Sequence, residues 1–321
     1  MILSLGLLSA RIIQLPFITN PDTLVAEDNQ VYISCFPTIF ILSLPQGKLV
    51  KKFGREGEGP GEFKMFIRFH RHPEFLIVNS SGKMSTYTKS GDFIKEERLP
   101  GNNVFKPVGK NFAGYRLSDD AKSKKTTVSI DLFDSEFKRI KEIYSTEFKF
   151  QSQSQKIFPI RNQGTFRVYK DKIVVNGSGG EILVFNSEGA KIRVIKPEIK
   201  RIKVTERDKL RYREYYRNYP QYRQYYEAAK KWFRFPEYFP AIHEIYVADG
   251  KIYAETHEEK ENQRAFLIMD LEGKILQKIF LEVSEINPLE KHLCTFNGDK
   301  FYKLVENEDT EEIELHITDI N

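Results

Sequence analysis

Phe53-Gly54-Arg55-Glu56-Gly57-Glu58-Gly59-Pro60-Gly61-Glu62-Phe63 joins two runs of strand-like residues. Gly54, Gly57, Gly59 and Gly61 permit positive φ, and Pro60 fixes one torsion, so the chain can cross tightly from one sheet to the next. A glycine-rich run can also cradle phosphate, but that use needs a helix N-terminus to aim its amides. Here no Gly-Lys-Ser/Thr follows, and the next segment reads as a strand. The run is expected to be a structural crossing.

Working outward, the turn chemistry recurs in weaker form. Alternating apolar residues lead into a glycine-containing or acidic turn at Leu44-Pro45-Gln46-Gly47-Lys48, Lys89-Ser90-Gly91-Asp92, Phe133-Asp134-Ser135-Glu136, Asn186-Ser187-Glu188-Gly189 and Asp270-Leu271-Glu272-Gly273-Lys274. With position 135 as the third equivalent, the steps are 91−47 = 44, 135−91 = 44, 189−135 = 54 and 273−189 = 84. The last step carries about 40 extra residues, the size of the helical segment inside it.

Each unit also has an upstream strand signature: Val31-Tyr32-Ile33-Ser34, Phe75-Leu76-Ile77-Val78, Phe112-Ala113-Gly114-Tyr115, Lys172-Ile173-Val174-Val175, Lys251-Ile252-Tyr253-Ala254 and Lys300-Phe301-Tyr302-Lys303. Most follow turn-forming pairs such as Asp28-Asn29 or Asp249-Gly250. Repeats of about 40 to 50 residues holding four short strands describe the blades of a β-propeller. Six units predict an all-β, six-bladed propeller of about 23–24 strands forming one domain over residues 1–321.

The sixth unit ends after its third strand, Ile313 to Thr318. A fourth is available at the other end of the chain, in Ala10-Arg11-Ile12-Ile13-Gln14-Leu15-Pro16-Phe17. An N-terminal strand completing the last blade would remove two open sheet edges. The apolar run Met1 to Ala10 also admits an export-signal reading. No Lys or Arg precedes it, however, it is too short to span a bilayer, and no Cys follows at lipobox distance. No later segment has the length of a transmembrane helix.

Bulk composition agrees with this architecture. The 321 residues are 40% hydrophobic, with 25 Phe and 16 Tyr that favour strands. Two distant cysteines, Cys35 and Cys294, exclude a disulfide-rich scaffold and any CxxC zinc site. The formal net charge of +5 matters less than its distribution.

Phe53 to Phe63 resembles the FGxxGxGPGEF linker of NHL-type propellers, and is closer still to bacterial six-bladed propellers of the NHL-like and TolB-like group. Many of those are uncharacterised exported proteins or lipoproteins. Phe239 to Tyr253 looks like a blade opening of the same group. The resemblance implies a propeller over the whole chain and an extracytoplasmic, periplasmic or secreted, location. It carries no shared catalytic residue.

Residues 200–236 break the strand pattern and are read as a helical insertion between blades 4 and 5. Thr205-Glu206-Arg207-Asp208 reads as a capping box. Tyr212, Tyr215, Tyr216 and Tyr219 fall on one helical face, Pro220 ends or kinks the helix, and Tyr222, Tyr225, Tyr226 and Ala229 repeat the spacing on a second short helix. Over 200–234, twelve Lys and Arg oppose four acids, so the segment is +8 and the rest of the chain −3. The tyrosines can pack the insertion onto a propeller face while the arginines are merely solvated. Alternatively, Arg and Tyr together form a docking surface for a protein, peptide or glycan. The same chemistry also suits RNA. The candidate binding residues are Arg207, Arg211, Tyr215, Arg217, Tyr222, Arg223, Tyr226 and Trp232.

No residue is nominated as catalytic, metal-ligating or cofactor-binding. His70 and His72 would share a strand face, but His72 precedes Pro73 at a turn. Glu255, His257, Glu258 and Glu259 read as an acidic, hydrated loop. No G-x-S-x-G elbow, HExxH or EF-hand loop occurs. The expectation is therefore a non-enzymatic interaction scaffold. The rival classes are a propeller hydrolase or lyase with a central-channel site, and an NHL-like RNA-binding protein.

Overall fold

A computed structural model describes residues 10–101, 103–120, 125–148, 157–160, 164–283 and 292–320. Among these residues lie six four-stranded sheets, each strand hydrogen-bonded to the next, and together they make a six-bladed β-propeller. The chain divides into two compact units, Met1–Pro107 with His292–Asn321, and Val108–Lys291.

The first unit holds two blades of sequential strands. One comprises β2 (Thr23–Glu27), β3 (Gln30–Cys35), β4 (Thr38–Ser43) and β5 (Lys48–Phe53), and the other β6 (Arg68–Arg71), β7 (Leu76–Ser80), β8 (Lys83–Tyr87) and β9 (Phe93–Arg98). Every residue of β7 and β8 is buried, so these middle strands are covered on both faces, whereas β5 and β9 are largely exposed. That gradient accounts for the apolar run Leu76-Ile77-Val78 of β7, although Asn79, Ser80, Lys83, Ser85 and Thr86 are buried along with it.

The third blade of this unit has the order β1 (Ala10–Leu15), β24 (Ile313–Asp319), β23 (Lys300–Glu306), β22 (Cys294–Asn297). The N-terminal strand thus completes the last blade, antiparallel to β24, from Ala10 opposite Thr318 to Leu15 opposite Ile313. Ile13 and Leu15 enter a core with Leu304, Ile313 and Leu315. On the polar side Gln14 Nε2 donates to Glu314 Oε1 at 2.7 Å, and Asn307 Nδ2 donates to the same oxygen at 2.7 Å. The export-signal reading of Met1 to Ala10 falls mostly on residues 1–9, outside those described. Cys35 and Cys294 are both buried and not joined in a disulfide, and burial pushes the Cys35 thiol up to about 12.

The second unit carries the remaining blades. They are β10 (Phe105–Val108) to β13 (Arg139–Phe148) with β11 (Asn111–Asp120) and β12 (Lys125–Phe133), then β14 (Phe166–Tyr169), β15 (Lys172–Asn176), β16 (Ile182–Asn186) and β17 (Lys191–Ile195), then β18 (Glu244–Ala248), β19 (Lys251–Lys260), β20 (Gln263–Asp270) and β21 (Ile275–Glu282). No helix among the described residues is long and apolar enough to cross a membrane.

The recurring turns all precede the outermost strand of their blade. In the β20–β21 turn, Asp270 Oδ1 accepts from Glu272 N at 3.1 Å and Lys274 N at 2.8 Å, and Gly273 has φ +92. A Cβ on Gly273 would lie 2.9 Å from Ile195 of β17, so glycine meets both a torsional and a steric demand. The β12–β13 turn is built the same way, with Asp134 Oδ1 accepting from Glu136 N and Lys138 N at 2.9 Å each. Its positive-φ residue is Phe137, at φ +59. Position 137, not 135, is therefore the third equivalent, and the steps become 137−91 = 46 and 189−137 = 52. The ring of Phe137 lies 4.8 Å from that of Phe112, a contact that offsets the cost of a non-glycine residue in this conformation.

Glu62 explains the glycine run of the opening motif. Its carboxylate accepts from Gly59 N at 2.8 Å and Arg55 Nε at 2.7 Å, so the protein's own anion fills the amide cradle. The Gly59 amide, then Arg55, hold the Glu62 carboxyl below its ordinary range. A Cβ on Gly57, where φ is +153, would fall 2.1 Å from Glu62 Oε2. The loop is anchored on β8 by Lys83 Nζ, which donates to Gly59 O at 2.8 Å and pairs with Glu96 at 3.0 Å.

Candidate functional site

Between β17 and β18 the chain leaves the sheet for the insertion. Thr205 opens its first helix, α1 (Glu206–Asn218), with a capping box: Asp208 N donates to Thr205 Oγ1 at 3.3 Å and Thr205 N donates to Asp208 Oδ2 at 2.8 Å. Two orphan amides are thereby satisfied at the helix start. Pro220 then starts α2 (Pro220–Arg223) at a position where its missing N–H costs nothing. The single second helix expected from the tyrosine spacing is instead α2, α3 (Tyr226–Ala229) and a 3-10 turn over Lys230–Trp232. Runs of four residues are too short to carry an uninterrupted helical face.

Two short bridges tie the insertion down. Ile157 N donates to Trp232 O at 2.8 Å and Arg234 N to Ile157 O at 2.7 Å, while Val204 N donates to Glu237 O and Phe239 N to Ile202 O, both at 2.9 Å. Tyr212 is buried in a small core with Ile160 and Val204, against which Phe235 and Phe239 pack. Tyr215, Tyr216, Tyr219 and Tyr222 pack on one another, whereas Tyr225 is exposed. The Tyr215–Tyr219 and Tyr216–Tyr222 centroids are 5.0 Å apart, Tyr216 also lies 5.0 Å from the buried Phe233, and Tyr226 lies 6.3 Å from Phe233.

This arrangement sorts the sequence-derived candidates into two layers. Tyr215, Tyr222 and Tyr226 belong to the aromatic cluster, and Trp232 is half-buried at its edge under the Lys231 ammonium, 5.8 Å from the ring centroid. Arg207, Arg217 and Arg223 are exposed and Arg211 is half-buried. The outward stripe of α1 reads Arg207, Leu210, Glu214, Arg217, all exposed. Arg207, Arg217 and Arg223 make no ion pair among the described residues, whereas Lys209 is paired with Glu206 and Lys230 with Glu227, both at 2.6 Å.

The foot of the insertion rests on the fifth blade. The Phe239 ring stacks on His257 of β19 with centroids 4.2 Å apart, and His243 meets His257 edge-on at 5.0 Å. Arg264 Nη1 lies 3.2 Å from His257 Nδ1. A guanidinium can only donate, so Nδ1 accepts and the imidazole is the neutral Nε2–H tautomer. Arg264 also pairs with Glu259 at 3.0 Å.

Beneath lies a buried charge pair that no sequence pattern announced. Glu244, at the start of β18, accepts from Thr165 Oγ1 at 2.9 Å and its Oε1 lies 3.2 Å from Arg167 Nη2. Burial opposes the Arg167 charge, but Glu244 together with Tyr246 and Tyr115 outweighs it and holds the guanidinium above its ordinary value. Phe166 N donates to Tyr115 Oη at 3.3 Å, and burial raises the Tyr115 phenol to about 12. The expectation of a hydrated loop at Glu255 to Glu259 is corrected here. These residues lie on β19, and Glu255 is fully buried, with Tyr246 Oη 3.5 Å from Oε2. β19 is buried continuously from Ile252 to Thr256, so Glu255 goes in with its strand, which a count of neighbouring acids does not show.

His243 and Glu255 place a ring nitrogen and a carboxylate oxygen within 4.8 Å of each other. Elsewhere, His70 lies on β6 while His72 lies beyond it, with its ring against Phe75 and its Nδ1 accepting from Glu74 N at 3.3 Å. Burial lowers the His72 pKa.

The six blades define the class of the protein, and comparison of sequences agrees: residues 17–165 match the family model DUF5128, a 6-bladed beta-propeller. Among solved structures, the AfRom2 CNH domain is 10% identical with a TM-score of 0.41, over 97% of this chain and 98% of that one. Hsv2p of Kluyveromyces lactis is 10% identical with a TM-score of 0.37, over 94% and 85%. BamB from Moraxella catarrhalis is 10% identical with a TM-score of 0.32, over 92% and 71%. No curated protein matches the chain.

Proposed function

We propose that this propeller is a non-enzymatic interaction scaffold whose helical insertion docks an acidic segment of a partner protein. The observation that carries the reading is the division of labour within the insertion. Its tyrosines, Tyr225 excepted, hold the element together, while Arg207, Arg217 and Arg223 face solvent without ion pairs among the described residues. Leu210, 54% exposed, and Tyr225, 64% exposed, supply apolar contact beside those charges.

An acidic polypeptide fits better than the alternatives. Base stacking needs several free ring faces, whereas Tyr215, Tyr216, Tyr219 and Tyr222 contact one another and leave Tyr225 as the strongly exposed ring of the run. A neutral glycan would leave the arginine excess unanswered. Arg167 with Glu244, and Arg264 with Glu259, form ion pairs below the insertion, and this favours a structural over a proton-transfer role.

The test is fluorescence anisotropy of a labelled poly-glutamate peptide with the full chain, in parallel with a single-stranded RNA of equal charge. The expected result is peptide binding that weakens about tenfold or more in Arg207→Glu/Arg217→Glu/Arg223→Glu and at high salt. Tighter binding of RNA, or peptide binding indifferent to the three reversals, would reject the proposal.

A further inference from the structure

An acidic counterpart to the insertion exists on the chain itself. In the hairpin joining β23 to β24, residues 306–312 contain Glu306, Glu308, Asp309, Glu311 and Glu312 and no Lys or Arg, a charge of −5. The turn has no need of those carboxylates. Asn307 Oδ1 accepts from Asp309 N at 2.9 Å and Thr310 N at 3.2 Å, Glu311 N donates to Asn307 O at 2.8 Å, and Asn307 N donates to Glu312 O at 2.9 Å. Glu306, Glu308, Asp309 and Glu311 are exposed, and none forms an ion pair among the described residues.

The insertion has the same property with opposite sign. Arg207, Arg217 and Arg223 are exposed without an ion pair among the described residues, and on α1 Arg213 and Arg217 stand at i, i+4, where like charges weaken a helix. Both elements therefore fold against their own repulsion, and a contact between them would relieve both.

From this charge complementarity we infer that the occupant of the insertion is the acidic hairpin of a second copy of this chain. The inference rests on the insertion being a docking surface, as proposed above. Such a contact joins two different patches, so it is heterologous, and repetition leads to closed rings or open chains. It strengthens at low ionic strength, because both charge sets are solvent-exposed.

Sedimentation velocity of the full chain tests it, with circular dichroism confirming that each variant is folded. At about 20 mM salt the weight-average sedimentation coefficient is expected to rise with concentration, and at about 0.5 M to return to the monomer value. Glu308→Lys/Asp309→Lys/Glu311→Lys, and separately Arg207→Glu/Arg217→Glu/Arg223→Glu, should each weaken self-association about tenfold or more. An equimolar mixture of the two variants should restore it, since reversed insertion then meets reversed hairpin. A chain that stays monomeric at every concentration and salt, association that survives hairpin reversal, or a mixture that fails to associate would each overturn the inference. Poly-glutamate binding separates the two levels. If the peptide binds while the chain remains monomeric, the docking surface stands and only the second-copy assignment falls. If the peptide does not bind either, both fall.

Discussion

The ring of Phe239 lies almost parallel to that of His257, with centroids 4.2 Å apart and planes inclined by 19°. Phe239 lies just after the insertion and packs against its small core, and His257 belongs to β19, so this stack joins the foot of the insertion to the sheet. Removing it should loosen the insertion selectively. Phe239→Ala is expected to lower amide-exchange protection across α1 about tenfold or more while leaving β15 and β20 unchanged. Equal loss in both strands would show that the insertion and sheet open as one unit.

Arg167 and Glu244 set the second expectation. Truncating Glu244 leaves a largely buried guanidinium without its carboxylate, a defect worth about 3–5 kcal/mol. Glu244→Ala should therefore depress the midpoint of denaturant unfolding strongly. Replacing the whole pair with apolar residues, as in Arg167→Met/Glu244→Leu, should cost much less. If the single and double replacements lose the same stability, the pair is not the source of the effect.

The seam between β1 and β24 titrates. Asn307, His316 and Gln14 hydrogen-bond the Glu314 carboxylate and hold its pKa at about 2, against an ordinary value of 4.5. A carboxyl depressed in the folded state contributes stability that is fully present above its unfolded pKa. That contribution is lost as pH falls from about 4.5 through about 2. Thermal melts of the wild type and Glu314→Gln should differ at pH 7, with the wild type higher, and converge toward pH 2. A gap that stays constant across that window would assign the difference to packing instead.

Gly57 tests the opening motif. Alanine there combines φ +153 with a Cβ 2.1 Å from Glu62 Oε2. Gly57→Ala should cost on the order of 2 kcal/mol. Gly57→Ala/Glu62→Ala removes the overlap but also the carboxylate that satisfies Gly59 N, so recovery should be partial. Full recovery would mean that the carboxylate contributes nothing to the loop.

The legibility of this fold follows its physics. Turns with Gly47, Gly91, Gly189 and Gly273 stood out because positive φ and close packing both call for glycine. The equivalent Phe137 was hidden because an aromatic contact satisfies the position another way. The closing strand was readable as a missing quarter of a repeat. The capping box and tyrosine spacing located the insertion, but not the break into α2 and α3, since four-residue helices leave too little periodicity to detect. Arg167 and Glu244 were invisible, being 77 residues apart and each set in an apolar strand. Only the pairing of blades brings them together.

The hydrogen bond from Gln14 to Glu314 spans 300 residues of chain. During synthesis the strand holding Gln14 emerges about 300 residues before its partner, so Ile13 and Leu15 must wait unpaired while the intervening blades are made. A ribosome that stalls before residue 313 releases a chain whose first strand has no neighbour. Such an exposed apolar edge is what chaperones and proteases recognise. The seam therefore makes closure depend on distant sequence: only a chain translated through β24 can cover the open edge of β1.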